Sequence, residues 1–532
     1  MKAIKLFSGF FALLLLLSAC DPAKKAAVST PKDAGPNPDE IEVVFLQMND
    51  VYEISPSVSD NSGGLARVAT LRKELLAKNP NTFTVLAGDF ISPSVIGTLK
   101  YDNKRIRGRQ MVDVLNALGL DWVVFGNHEF DYDDLPDLQA RIDESNFTWL
   151  GANVRHKGDT WTQPFYKNKN GKQEVCPDNA VLTISDKTGK TLRLGLFGVL
   201  INTGRKPWVT YTDWNEAAKA QFEKLKPQTD VVVALTHLNI ADDLKLAAML
   251  PEVPLMMGGH DHNNMFHKVG KVSVAKADAN AKTVYIHTLR YNTKTKMSTV
   301  KSELRKIDAS ISEEPETAAV VAKWEKIKSE ALGSLGFVAE NKIATLKDPL
   351  DCREELIRYN QAPVGELLTT AMEKAARKKV DAVLVNSGSI RIDDVLSGVV
   401  TELDVVRMLP FGGNLLEVDM RGKLLRQTLE TSLSNKGNGG YLQMRYLKRD
   451  DKGQWMVGNQ PLQDDKVYHL ILPGFLLTGN EQNMGFLKAA PTSDGKGTSN
   501  SDILMIDTPL KSDLVDPRHD IRKALIAYWR TI

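Results

Sequence analysis

Five short stretches of this chain carry side chains of the kind that bind metals: Asn49-Asp50, Gly88-Asp89, Gly126-Asn127-His128-Glu129, Thr236-His237 and Gly259-His260-Asp261-His262. Four of the five follow short apolar, β-branched runs, at residues 43–46, 84–86, 122–125 and 231–235. Such runs, closed by Gly or Asn, predict buried strands whose ends hold the functional groups. Carboxylate, amide and imidazole together suit two divalent cations sharing a bridging carboxylate, the apparatus of metal-assisted hydrolysis. A lone Gly-His-Asp-His says little, because two histidines in such a turn are often only solvated. Asp50 alone fits a turn, and His237 alone fits a satisfied histidine at a strand end. The ordered set carries the inference.

Positioning these groups takes an α/β scaffold. Between residues 41 and about 305, strand-like runs alternate with stretches of helical spacing, at 65–78 (LARVATLRKELLAK) and 111–118. That alternation predicts α/β layers with the site along one sheet edge. Residues 155–190 are polar and rich in Gly and Lys, which predicts a surface excursion; 192–199 return to strand character. Residues 306–335 contain a helical run with Pro315 in its first turn and Gly333 near its end, read as a linker helix between domains. In the remainder, 336–532, a strand at 380–385 runs into Asn386-Ser387-Gly388-Ser389-Ile390-Arg391. A strand at 415–420 follows Pro410-Phe411-Gly412-Gly413, a helix covers 422–434, and a strand at 468–472 leads into Pro473-Gly474-Phe475.

The 532 residues suffice for two or three domains, and 42% hydrophobic with 25% charged residues is ordinary for a soluble globular protein. A formal charge of +2 gives no reason to expect nucleic acid as a partner. Nothing demands more than a monomer. The start differs from the rest: Lys2 and Lys5 precede an apolar segment, 6–17, and then Leu17-Ser18-Ala19-Cys20. The segment is too short to span a bilayer and reads as a secretory signal, 1–20. Its ending resembles a bacterial lipoprotein signal, which implies lipid on Cys20 and a place in the bacterial envelope, facing periplasm or exterior. An ordinary signal peptide with a chance cysteine is the other reading. Residues 21–40, rich in Ala, Pro, Lys and Asp, read as a flexible tether. Cys176 and Cys352 remain; an oxidising compartment permits a bridge, but the expectation is none.

Together these motifs resemble the bacterial 5'-nucleotidase and UDP-sugar hydrolase group of the calcineurin-like metallophosphoesterases, from about residue 41 to the C-terminus. The resemblance implies a four-layer α/β-β/α metallophosphoesterase sandwich (41–305) and a smaller α/β substrate-binding domain (336–532). It implies two divalent metals, Zn, Mn or Co. Asp50 and His262 would hold the first, Asn127, His237 and His260 the second, with Asp89 bridging and His128 and Asp131 as catalytic dyad. Asp131 also fits a plain helix N-cap. In the second domain Phe411 and Phe475 would sandwich a nucleobase, with Asn386 and Arg391 holding base, ribose or phosphate; core packing is the bland reading of each Phe.

The chain departs from the family in places. Where the family reads Asp-x-His, this chain has Asp50-Val51-Tyr52. A neutral phenol, with pKa about 10, is a poor ligand for Zn or Mn, whereas iron could take a tyrosinate. Glu481, in Gly479-Asn480-Glu481-Gln482, stands where the family has a ribose-binding Asp, and a customary arginine is missing from Pro363-Val364-Gly365-Glu366. Three readings result: a phosphohydrolase acting on 5'-nucleotides or related phosphoesters, a nucleotide-binding lipoprotein with impaired catalysis, or a sulfur-ester hydrolase on the same scaffold.

Overall fold

The computed structural model describes residues 38–532 except 59, 133, 203–205, 494–496 and 514. The signal, Cys20 and residues 21–37 of the tether lie outside the described residues. A first sheet runs in the order Ser298–Lys306, Thr283–Asn292, Glu40–Met48, Thr82–Leu86, Trp122–Val124, Thr148–Leu150, and its last four strands are parallel. A second sheet runs Asn179–Ser185, Thr191–Leu200, Val231–His237, Leu255–Gly258, Val272–Lys276, Met265–Val269, with the middle four parallel.

The period-2 alternation of side chains decides how the sheets stack. Ile41, Val43 and Phe45 face Leu194, Leu196, Val233 and Leu235 of the second sheet, whereas Leu46 and Met48 point the other way, toward the helices Leu65–Lys78 and Arg109–Leu118. On the far side of the second sheet, Phe197, Val199 and Val232 pack on Ala218 and Phe222 of Trp214–Leu225. The result is helix, sheet, sheet, helix. The central strands of both sheets are covered on each face and read as nearly unbroken apolar runs, as in Val231–His237. Truncating a central residue such as Leu196 to Ala would cost about 2–5 kcal/mol.

Two segments carry more structure than their sequence shows. The surface excursion includes short strand pairs: Val154–Lys157 with Val209–Tyr211 and Thr162–Gln163, and Tyr166–Lys169 with Lys172–Val175. Their outward residues are Lys, Asn and Gln, so no apolar period betrays them, yet Phe165 is buried 5.3 Å from Phe125 between ring centroids. The helix Pro315–Ser334, capped by the Glu314 side chain, does not merely link domains. It lies on the first domain, with Trp324 fully buried and its Nε1 donating to Asp113 at 3.1 Å.

The second domain holds a five-stranded sheet, Leu442–Arg445, Ala382–Asn386, Val467–Pro473, Leu415–Arg421, Ile503–Asp507. Gly422–Ser434 covers one face through Leu425 and Leu429; Pro363–Ala375 and Ile521–Trp529 cover the other through Leu368 and Leu525. Cys176 and Cys352 are buried and unbridged.

Candidate active site

The parallel strands of the first domain end on one edge, and the chain leaves them on residues with unusual backbone. Asp50, Asp89, His260 and His262 have φ of 52°, 56°, 86° and 61°. Non-glycine residues there cost about 1–3 kcal/mol each, and Asp and His tolerate the region better than bulkier types. Hydrogen bonds across the loops offset that strain. Asp50 accepts from Asn49 Nδ2 (2.8 Å) and the His260 N–H (2.9 Å), and Asp89 Oδ1 accepts from the His128 N–H (2.8 Å). Fully buried Glu129 accepts backbone N–H groups from Asp89 and Phe90 (2.9 Å each) and Gly126 (2.7 Å), tying two loops together. Burial and the neighbouring Asp89 push its carboxyl up to about 7. A Cβ on Gly126 would collide with the Asp89 carboxylate, so only glycine lets these loops approach.

His237 Nδ1 sits 2.7 Å from the Ala87 carbonyl, which orients the ring. Its Nε2 is 3.0 Å from both Asn127 Oδ1 and Asp89 Oδ2. Asp89, His237 and His260 bring one ligand atom each within 4.8 Å of one another. Behind them Lys276 is completely buried; its Nζ donates to the carbonyls of Leu238 (2.5 Å) and Gly259 (2.7 Å) and pairs with Asp243 (2.8 Å) and Asp261. It thereby pins the strand end of His237 to the turn of His260 and His262.

The donor set fits divalent cations. Asp50 Oδ1 is buried with no hydrogen-bond partner, and a shared carboxylate among imidazoles and an amide oxygen suits Zn²⁺, Mn²⁺ or Co²⁺. Asp89, Asn127, His237 and His260 form the fuller group, and Asp50 with His262 (3.5 Å) stands opposite. Tyr52 enters here, its hydroxyl 3.0 Å from His262 Nε2 and 3.4 Å from Asp89 Oδ2. Burial, then Asp89 and Asp50, raise its pKa well above the ordinary value.

His128 Nδ1 lies 3.0 Å from Asp131 Oδ2, which also accepts from Ser92 Oγ (2.8 Å) and Arg391 Nη2 (2.7 Å). Asp131 is no helix N-cap; the next helix, Leu135–Glu144, has Asp134 at its N-cap. Burial works against both charges, but Arg391 and His128 hold the Asp131 carboxyl well below its usual range. Asp131 and Asp89 in turn hold His128 well above its own. Arg391 reaches the dyad from the second domain and also pairs with Glu354 at 3.0 Å. From the same loop, Asp393 sets its carboxylate 4.0 Å from His128 Nε2 and its carbonyl 3.0 Å from His262 Nδ1. The two domains enclose a cavity of about 320 Å³ lined by Asp89, His128, His260, His262, Arg353 and Asp393.

The second domain's own edge holds the aromatic candidates. Gly474 N–H donates to the Asn414 carbonyl (2.9 Å), so the turns bearing Phe411 and Phe475 leave neighbouring strands side by side. Both rings are solvent-facing, 62% and 45% exposed, which removes core packing as their role. Asn386 Nδ2 donates to Glu481 at 2.7 Å. Arg391 is not with this pair; its guanidinium is committed to Asp131 and Glu354. Glu366 is exposed on the helix Pro363–Ala375. Glu129, Asp393, Glu354 and Lys276 were given no role in the sequence. A lysine closing the apolar strand Val272–Lys276 was the one hint.

The family description "Calcineurin-like phosphoesterase" matches residues 43–264, and "5'-nucleotidase, C-terminal domain" matches 342–488. The bovine 5'-nucleotidase is 25% identical over 507 residues, spanning 83% of each chain. A solved 5'-nucleotidase precursor from Thermus thermophilus superposes with a TM-score of 0.63 at 21% identity, covering 92% of this chain and 96% of that one. A sulfate thiohydrolase from Thermus thermophilus shares the fold at 14% identity, TM-score 0.58, covering 94% and 95%, so fold alone does not choose the ester. With a phosphoesterase motif set at one sheet edge and both matched domains in order, the chain belongs to the calcineurin-like phosphoesterases that carry a 5'-nucleotidase C-terminal domain.

Proposed function

We propose that this chain is a two-metal phosphohydrolase that releases phosphate from 5'-nucleotides or related nucleotide phosphoesters outside the cytoplasm. The observation that carries the reading is the convergence of Asp50, Asp89, Asn127, His237, His260 and His262 beside the His128–Asp131 pair. Asp89, Asn127, His237 and His260 would hold one cation, and Asp50, Asp89 and His262 the other. Bound there, divalent cations neutralise phosphoryl oxygens and acidify water. His128, held by Asp131, would donate to a phosphoryl oxygen or to the leaving oxygen. Asp131 fixes the ring, and Arg391 and Ser92 fix Asp131. Phe411 and Phe475 would stack the base, while the Asn386–Glu481 pair offers polar contacts to base or ribose.

Lipid on Cys20 and a tether over 21–40 would hold the enzyme at the bacterial envelope; among the described residues no helix is long and apolar enough to cross a membrane. The test uses residues 41–532 loaded separately with Mn²⁺, Zn²⁺, Co²⁺ and iron, with phosphate release read from AMP, UDP-glucose and an aryl phosphate. Turnover abolished by His128→Ala and altered by Tyr52→His supports the reading. No turnover with any metal, together with nucleotide binding that needs Phe411 and Phe475, rejects it in favour of a binding protein.

A further inference from the structure

Two histidines that would serve different cations are oriented from different domains. His237, in the fuller group, turns its Nδ1 to the Ala87 carbonyl at 2.7 Å, a partner from its own domain. His262, opposite it, turns its Nδ1 to the Asp393 carbonyl at 3.0 Å, a partner from the second domain. A carbonyl only accepts, so Nδ1 carries the proton in each contact and Nε2 is the atom left for a cation. On that side His262 Nε2 lies 3.5 Å from Asp50 Oδ1, the buried oxygen without a hydrogen-bond partner. The first site would have Asp50, Asp89 and His262 against four protein ligands in the second, so it depends more on how the His262 ring stands.

Asp393 is held in place for that contact. Its backbone has φ 42°, in the left-handed region that is strained for a non-glycine residue and that Asp tolerates better than most. The conformation is fixed from within the second domain. Asp393 Oδ1 accepts the Glu354 N–H at 2.7 Å, the Asp394 carbonyl accepts the Cys352 N–H at 3.1 Å, and Arg391 N–H donates to the Met408 carbonyl at 2.9 Å. The carboxylate itself stops short of the histidines, with Oδ2 3.7 Å from His262 Nε2 and 4.0 Å from His128 Nε2. The group of Asp393 that touches the site is its carbonyl. Around it the second domain fastens to the first: Arg391 to Asp131 at 2.7 Å, Asp394 to Lys282 at 3.8 Å, and Arg407 to Glu53 at 3.3 Å.

We propose that Asp393 is a positioning residue for the first metal site: its carbonyl, delivered by the second domain, sets the His262 ring, so that filling this site and seating the two domains on each other are one linked equilibrium. The inference rests on the two-metal reading and adds to it a residue and a dependence. Outer partners that fix a ligating histidine change metal affinity by about 10- to 100-fold. Linkage makes the effect reciprocal: what loosens the domain contact weakens the first cation, and the first cation tightens the domain contact by the same factor. The second site, whose His237 is oriented within its own domain, stands outside this coupling.

The test titrates the metal-depleted full chain with Mn²⁺ by calorimetry and follows domain seating by small-angle X-ray scattering, in the parent and in four variants. Asp50→Asn alters a ligand of the first site alone and so marks which binding step is that site. Asp393→Val puts a β-branched residue where φ is positive and displaces the carbonyl, whereas Asp393→Asn keeps the backbone and the oxygen that accepts from Glu354. Arg407→Gln loosens the domain contact at Glu53 without touching a metal ligand. The expected result is a first-site Kd raised at least about tenfold in Asp393→Val and raised also in Arg407→Gln. The second site should stay within about twofold of the parent, and Asp393→Asn should bind as the parent does. Filling the first site should shrink the radius of gyration of the parent and not that of Asp393→Val. Equal weakening of both sites, no weakening in Asp393→Val, or a loss in Asp393→Asn as large as in Asp393→Val overturns the proposal. If the parent takes up no metal, the two-metal reading falls and Asp393 with it. If the parent fills both sites and the Asp393 and Arg407 variants match it, only the role of Asp393 falls.

Discussion

The two edges that face each other across the domain boundary are built on opposite plans. On the first domain, Asp50, Asp89 and His237 are wholly buried, and each is fixed by partners from other loops. On the second, Phe411 and Phe475 stand in solvent on turns joined by a single backbone hydrogen bond. The difference matches what the proposed chemistry of each edge would demand. Charge stabilisation at a reacting phosphorus needs donors that do not reorganise, so that edge carries strain and buried charge. A stacking platform needs only two flat faces, and tolerates movement.

The sharpest way to break this comparison is at His128. His128→Ala removes the proton donor but no ligand, and kcat should fall by about 10²- to 10⁴-fold with metal content unchanged by elemental analysis. Loss of metal along with activity would mean that His128 belongs to the cradle. Next comes Lys276→Met, which leaves buried Asp243 and half-buried Asp261 without their cation and should destabilise the first domain by about 3–5 kcal/mol, read from urea unfolding. Phe411→Ala and Phe475→Ala should each weaken nucleotide binding by about 1–3 kcal/mol, appearing in KM more than kcat, with unfolding midpoints nearly unchanged. A collapse of stability in either would contradict their exposure.

The smallest effect lies in the second domain's sheet. His469 contacts Asp419 (2.7 Å) and Glu417 (3.1 Å), and these bonds outweigh burial to raise its pKa. A histidine raised on folding adds stability that is complete below its unfolded pKa, about 6.5, and disappears as pH climbs through the folded value. Solvent screening holds the gain to about 1 kcal/mol or less. His469→Gln should therefore flatten the decline of the urea midpoint between pH 6 and pH 9.

What the sequence disclosed follows the range of the interactions. The strands bearing Asp50, Asp89 and His237 were legible because runs such as Val231–His237 are apolar throughout and end abruptly in polar ligands. The helix Gly422–Ser434 was legible from its period. The pairs at 154–175 were not, since outward lysines and asparagines mask strands whose buried residues are little more than Val154 and the adjoining Phe165. Nor could spacing show that Arg391 leaves Asn386 and reaches Asp131, 260 positions away, because that contact exists only once two domains have met. Tyr52 was visible as a departure, but its company with both His262 and Asp89 was not.

Lys276 changes what the loss of metal would mean for this centre. A covalently attached ammonium group sits behind the histidine loops, ringed by two carbonyls and two carboxylates much as a hard ion would be. No chelator can extract it, and no competing metal can exchange with it. The spacing of the turn that carries His260 and His262 against the strand of His237 is thus written into the polypeptide rather than borrowed from the medium, so starvation for metal should silence the enzyme without erasing the shape into which metal returns.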